Sequence, residues 1–346
     1  MLPALGIVCI LGGWQGIGAL PDEYAINDVT GNTGVPQIES ITQVVTPIDT
    51  GISESIGPEY RVPKAALSLT DSARLSLSEP SIWQSWLSDS IPAMQSVPVA
   101  TSRAPVVVAI LDTGIDKDHE DLGGAVIGEI NFTDSPTADD IYGHGTHIAG
   151  IIAAEVDNDI GVEGIAAGCQ LLNVKVADDR GKCRMSALVE GIIWAVENGA
   201  RVINISIEMA DSSPVLQEAI DYAWENGAIV IAAAGNSGSD IPVYPASYEN
   251  CLGVTALKDN GQLAPLANYG DWVDAAAPGY KIYSTLPGDD YGYKYGTSFA
   301  AAYISGLSAL LFPLTEDANN NGRLNDEIRQ IIDTICGNDF LNDSAA

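Results

Sequence analysis

Basic residues are scarce in this chain: Lys and Arg number 15 of 346, against 46 Asp and Glu, for a formal net charge of −31. Only 18% of residues are charged, where about 25% is usual, so the imbalance is a shortage of bases. Without clustered Lys and Arg the chain cannot displace the counterions of nucleic acid or dock on an anionic membrane, and both are excluded as partners. Five cysteines are present, two of which, Cys169 and Cys183, flank an extended strand that keeps them roughly 20 Å apart. Buried thiols are therefore expected, not a disulfide framework, while sequence alone leaves open whether Cys251 and Cys336 pair. Histidine occurs three times, and the His144/His147 pair lacks both a third ligand and the Glu of a zinc-protease helix. After residue 20 no run of about 18 apolar residues appears, which excludes a polytopic membrane fold. The 46% hydrophobic content and mean hydropathy of +0.12 exclude a disordered acidic chain. What remains is a globular, exported protein with a pI near 4.1.

Residues 1–20 are apolar, hold five glycines and no base, and read either as a degenerate signal or as an apolar tail. Residues 21–76 are rich in Thr, Ser, Gly, Pro and acids, with short β-branched runs such as Ile41 to Val45, and read as a small prosegment. Residues 77–340 form the main domain. In it, apolar runs at 106–111, 171–176, 202–206, 229–232 and 252–256 alternate with helix-period segments, notably 186–198 and 298–311. Such alternation predicts an α/β fold, doubly wound, with a mostly parallel sheet and helices on both faces. Ligands of such sheets bind beyond the carboxyl ends of the strands.

Asp112, in Leu111-Asp112-Thr113-Gly114, falls at the carboxyl end of the first of these strands. His144 stands between two glycines where a small-residue helix begins. Ser298 opens another apolar helix, beside free N–H groups and the positive end of the helix dipole. An acid to orient, an imidazole to take a proton and a hydroxyl to attack are the parts of a serine hydrolase. Asn236 follows a buried strand and three alanines and a glycine, so its amide can donate to a tetrahedral oxygen while substrate backbone comes close.

These four segments, in this order, resemble the subtilisin-like serine proteases over residues 79–337. The resemblance implies an endopeptidase with Asp112, His144 and Ser298 as catalytic residues, Asn236 in the oxyanion hole, and no catalytic cofactor. It implies a substrate cleft lined by Ser206, Ile207, Glu208, Ala233, Ala234, Gly235 and Val243, with peptides as substrates. It also implies a secreted monomer made as a zymogen, cut between Tyr60 and Glu79, with its own prosegment as inhibitor and structural calcium near Asp121 and Asp157. Three positions depart from the family pattern: Glu208 replaces a usual glycine, Phe299 a common methionine, and Ala302 a proline. Glu208 is expected to attract a basic side chain at a neighbouring subsite, and Val243 to shorten the main pocket toward Leu or Met.

Other readings compete. Asp-Thr-Gly is also an aspartic-protease signature, but occurs once and is followed by Ile115. Asp317 to Gly322 mimics half of an EF-hand loop, yet its twelfth position is Ile328. A catalytically inactive binding module on the same fold is the alternative in function.

Overall fold

The computed structural model describes residues 44–47 and 105–336. The leader and prosegment expected over residues 1–76, apart from 44–47, the expected cleavage window, and residues 77–104 and 337–340 of the expected main domain lie outside these. Seven strands form the central sheet: β2 (Val107–Asp112), β3 (Val126–Asn131), β4 (Gln170–Lys175), β6 (Val202–Ile205), β8 (Ile229–Ala233), β9 (Cys251–Leu257) and β10 (Ala275–Pro278). Their spatial order is β10-β9-β8-β6-β2-β4-β3, and every pairing is parallel. β8 and β9 are buried at every residue, which is why they read as continuous apolar runs: helices cover both faces.

Three short strands make a separate antiparallel sheet. β1 (Val44–Pro47) lies between β5 (Cys183–Arg184) and β7 (Ile207–Glu208), pairing Val45 with Cys183 and Thr46 with Glu208. A hairpin of β11 (Ile282–Leu286) and β12 (Asp290–Lys294) completes the strands.

The helices are α1 (Gly145–Ala153), α2 (Met185–Glu197), α3 (Pro214–Glu225), α4 (Thr297–Leu311) and α5 (Asn325–Cys336). α4 is buried along almost its whole length, consistent with its Ala, Ser and Gly content, and packs against α1, α5 and five strands of the central sheet. Asn204 on β6 ties the two layers: its Nδ2 donates to Ser206 Oγ at 3.2 Å, and its Oδ1 accepts from Ser305 Oγ of α4 at 3.0 Å.

The five expected strands and two helices are present within a residue or two of the expected bounds. β3 and β10 were not expected from pattern: β3 is only part-buried, and β10 is Ala-Ala-Ala-Pro, weak in β propensity. Cys169, Cys183, Cys251 and Cys336 are free buried thiols. Burial pushes the Cys169 and Cys336 thiols up to about 12, so they stay protonated. Among the described residues no helix is long and apolar enough to cross a membrane.

Candidate active site

The sheet order reverses direction around β2, whose neighbours β4 and β6 follow it on opposite sides. A cleft opens beyond the carboxyl ends of strands at such a point. Asp112 is the last residue of β2, and Ser206 follows β6 directly.

Asp112 and His144 meet there, both fully buried. His144 Nδ1 lies 2.8 Å from Asp112 Oδ1 and 3.0 Å from Oδ2. A carboxylate only accepts, so Nδ1 carries the proton and Nε2 is left with the lone pair that a general base requires. Asp112 is itself fixed, accepting from Thr113 N at 2.7 Å. Gly145 lets α1 start hard against this loop, since a Cβ there would collide with the carbonyl of Gly114.

Ser298 is the second residue of α4, and the following ring, Phe299, lies 5.5 Å from the His144 ring. Asn236 is tethered beside it: Oδ1 accepts from Thr297 N at 2.9 Å and from Thr297 Oγ1 at 3.2 Å. Holding Oδ1 this way fixes the amide's orientation and leaves Nδ2 as the donor end. Ser206 Oγ donates to the Ser298 carbonyl at 3.4 Å. The structure thus gathers Asp112, His144, Asn236, Ser206 and Ser298 at the carboxyl end of the central strands. It combines an oriented base, a hydroxyl at a helix start and amide donors, the set needed for acyl transfer.

The expected cleft walls lie alongside. Ile207 and Glu208 form β7, and Ala233, Ala234 and Gly235 lead from β8 to Asn236. Gly235 has φ +100, and its N–H donates to Thr297 Oγ1 at 3.0 Å. Val243 precedes a cis Tyr244–Pro245 bond, and Tyr244 and Met209 exchange two backbone hydrogen bonds, which brings this turn beside β7.

Several residues that hold the site were not singled out from sequence. Asp140 is buried and accepts from Thr113 Oγ1 (2.9 Å), Gly143 N (2.7 Å), Thr146 N (2.9 Å) and Thr146 Oγ1 (2.7 Å). It joins the Asp112 loop to the start of α1. Lys175, fully buried, donates to the carbonyls of Thr113 and Asp139 and pairs with Asp179 at 2.9 Å. Asn268 donates to Ala234 O and accepts from Ser237 and Ser239 N, shaping the turn after Asn236.

The other histidines have structural surroundings. His119 Nε2 lies 3.1 Å from Asp290 O, and its Nδ1 accepts from Asp121 N. Burial holds His147 well below its ordinary pKa, with Lys294 and His144 adding to the effect, so its ring stays neutral.

At the expected calcium position, Asp121 is fully buried but is not bonded to Asp157. Its partners are Asn158 Nδ2 and Val162 N, each at 2.8 Å. Asp157 instead sits at a positive-φ turn. Among the described residues no three Asp, Glu, His or Cys side chains converge as a metal cluster. The Asp317 loop is closed by its own N–H groups, from Asn321 and Gly322, as a turn. Asn325, the first residue of α5, donates its Nδ2 to Trp224 O at 2.9 Å.

A sequence model of the subtilase family matches residues 103–336. The chain is 43% identical over 231 residues to the thermophilic serine proteinase of Bacillus sp. (strain AK1), covering 66% of this chain and 57% of that protein. It is 41% identical over 214 residues to thermitase of Thermoactinomyces vulgaris, covering 62% and 77%. Against subtilisin DY of Bacillus licheniformis identity is 37% over 252 residues, covering 70% and 91%. With the parallel sheet and the acid, histidine and serine segments at its cleft, the matched region, well over half of the sequence, shows that this chain belongs to the subtilase family.

Proposed function

We propose that this chain is a serine endopeptidase that cleaves peptide bonds through an acyl-enzyme on Ser298. The observation that carries this is the buried Asp112–His144 contact, with its Nδ1 tautomer, beside a serine at a helix start and a tethered Asn236. His144 Nε2 takes the Ser298 proton as Oγ attacks the scissile carbonyl carbon, and Asp112 stabilises the imidazolium that forms. The new oxyanion accepts from Asn236 Nδ2 and from the amides at the α4 start. Collapse expels the amine, which leaves with the proton from His144; water then repeats the sequence and frees the acid.

Ser298→Ala, assayed on a fluorogenic peptide, is expected to lose roughly 10⁶ in kcat, a magnitude from this family. Substantial turnover in that variant would overturn the assignment. The proteinases among its relatives favour this reading over an inactive binding module.

The chain's own N-terminal segment is proposed as an intramolecular occupant of the cleft. Its support is β1, which runs as a third strand between β5 and β7, as an extended substrate would by strand addition. The excess of acids and the apolar leader support a site of action outside the cell.

A structural calcium is proposed at the 155–162 turn. Asp121 is buried, and among the described residues no lysine or arginine pairs with it. Calcium would be held there by Asp121 and Asn158 and would supply that positive charge.

A further inference from the structure

Glu208 is unlike the other acids around the cleft. It ends β7, on the edge that pairs with an extended strand, two residues after the Ser206 that bonds to Ser298. Its carboxylate lies directly over Gly235: a Cβ added to that glycine would collide with Glu208 Oε2 and with Asn268 Nδ2. Oε2 is buried and has no hydrogen-bond partner among the described residues, and Glu208 makes no ion pair there. A carboxylate in such surroundings is unfavourable until a cation or donor meets it. Burial raises its pKa, and no neighbouring charge contributes.

The position of Gly235 decides which substrate residue Glu208 meets. Asn236 donates to the oxygen of the scissile carbonyl in the proposed reaction, and Gly235 is its chain neighbour. The side chain lying against Gly235 therefore belongs to a residue beside the scissile bond, and the inference assigns it to the one that carries that carbonyl, on the acyl side. This differs from a neighbouring subsite, where the sequence alone located the acid.

We propose that Glu208 is a specificity-determining residue that selects a lysine or arginine on the acyl side of the cleaved bond, by pairing its buried carboxylate with the substrate's cation. The inference rests on the endopeptidase reading above and deepens it. Half-burial removes much of the solvent screening that would weaken such a pair at the surface. The chain carries residues of this kind ahead of its main domain: Arg61, Lys64 and Arg74 are its only bases before Arg103.

The test uses the full chain and a set of fluorogenic peptides that differ only at the acyl-side residue: lysine, arginine, glutamine and norleucine. Wild type is expected to favour lysine over norleucine by roughly 10- to 100-fold in kcat/KM, the range of a charge-assisted hydrogen bond. Glu208→Gln, which keeps the shape and removes the charge, is expected to bring that ratio near unity. A wild-type ratio at or below unity, or a ratio unchanged in Glu208→Gln, overturns the proposal while leaving the peptidase reading intact. Binding of benzamidine to Ser298→Ala, followed by calorimetry, gives a readout independent of turnover. Saturable binding that is lost when Glu208→Gln is added supports the pocket. No binding in Ser298→Ala, or equal binding in both proteins, contradicts it. Absent peptide hydrolysis in wild type would instead strike the proposed function.

Discussion

Asp140→Asn perturbs the site without touching a reacting group. Oδ2 of Asp140 accepts from both the N–H and the hydroxyl of Thr146, and Oδ1 accepts from Thr113 Oγ1 and Gly143 N. An asparagine that keeps the Oδ1 contacts must aim its NH₂ at Thr146. The Thr146 hydroxyl can turn round and accept, but the Thr146 N–H then faces a donor in a buried place. One buried unsatisfied donor costs about 1–3 kcal/mol. For a domain of this size each kcal/mol lowers Tm by about 2–4 °C, so a fall of roughly 4–8 °C is expected for 2 kcal/mol. Because Asp140 links the loop after Asp112 to the first turn of the helix after His144, kcat should fall about 10- to 100-fold with KM little changed, as small misplacements of reacting groups do. Thermal unfolding followed by circular dichroism, with kinetics on one peptide at several pH values, reads both effects. Wild-type Tm and kcat in Asp140→Asn would refute the reasoning. Asp140→Glu, with its acceptors retained but displaced, should recover stability more than turnover.

Asn236→Leu removes the donor of the oxyanion and should lower kcat by about 10² to 10³ with little change in KM. An unchanged kcat in peptide hydrolysis would take Asn236 out of the site. If calcium holds Asp121 and Asn158, EDTA should lower Tm, and added calcium should restore it. A hundredfold excess of calcium over Kd stabilises by about 2.7 kcal/mol, or roughly 5–10 °C for a domain of this size. Identical melting curves with and without chelator would remove the metal from the account.

The residues to which the proposed reaction assigns chemistry were legible because each sits in a local pattern that its role requires. Asp112 ends an apolar strand, His144 is set between glycines, and Ser298 opens a helix of small residues; all three conditions are written within a few positions of the residue. The residues that hold the site are joined across longer distances, and no local pattern marks them. Asp140 looks like half of a solvated Asp139-Asp140 pair until Thr113, 27 residues away, is seen to bond to it. Lys175 ends a strand whose alternation marks it as ordinary, yet its ammonium is buried beneath the Thr113 carbonyl. Thr297 had a visible signal, a hydroxyl next to Ser298, but its role depends on the distant Asn236. Asp121 was read from the family resemblance as a calcium ligand beside Asp157, whereas the side chain that bonds to it is Asn158, and Asp157 sits at a positive-φ bend. Glu208 was visible as a departure from the family pattern, but its wall could be assigned only once Gly235 was seen beneath it.

The central claim is that Ser298 is a nucleophile activated by His144. Intact-protein and peptide mass spectrometry after exposure to a fluorophosphonate tests it most directly. One adduct per chain, mapped to Ser298 and absent from both Ser298→Ala and His144→Ala, is the predicted result. No adduct in wild type, or an adduct on another serine with Ser298 unmodified, would contradict it.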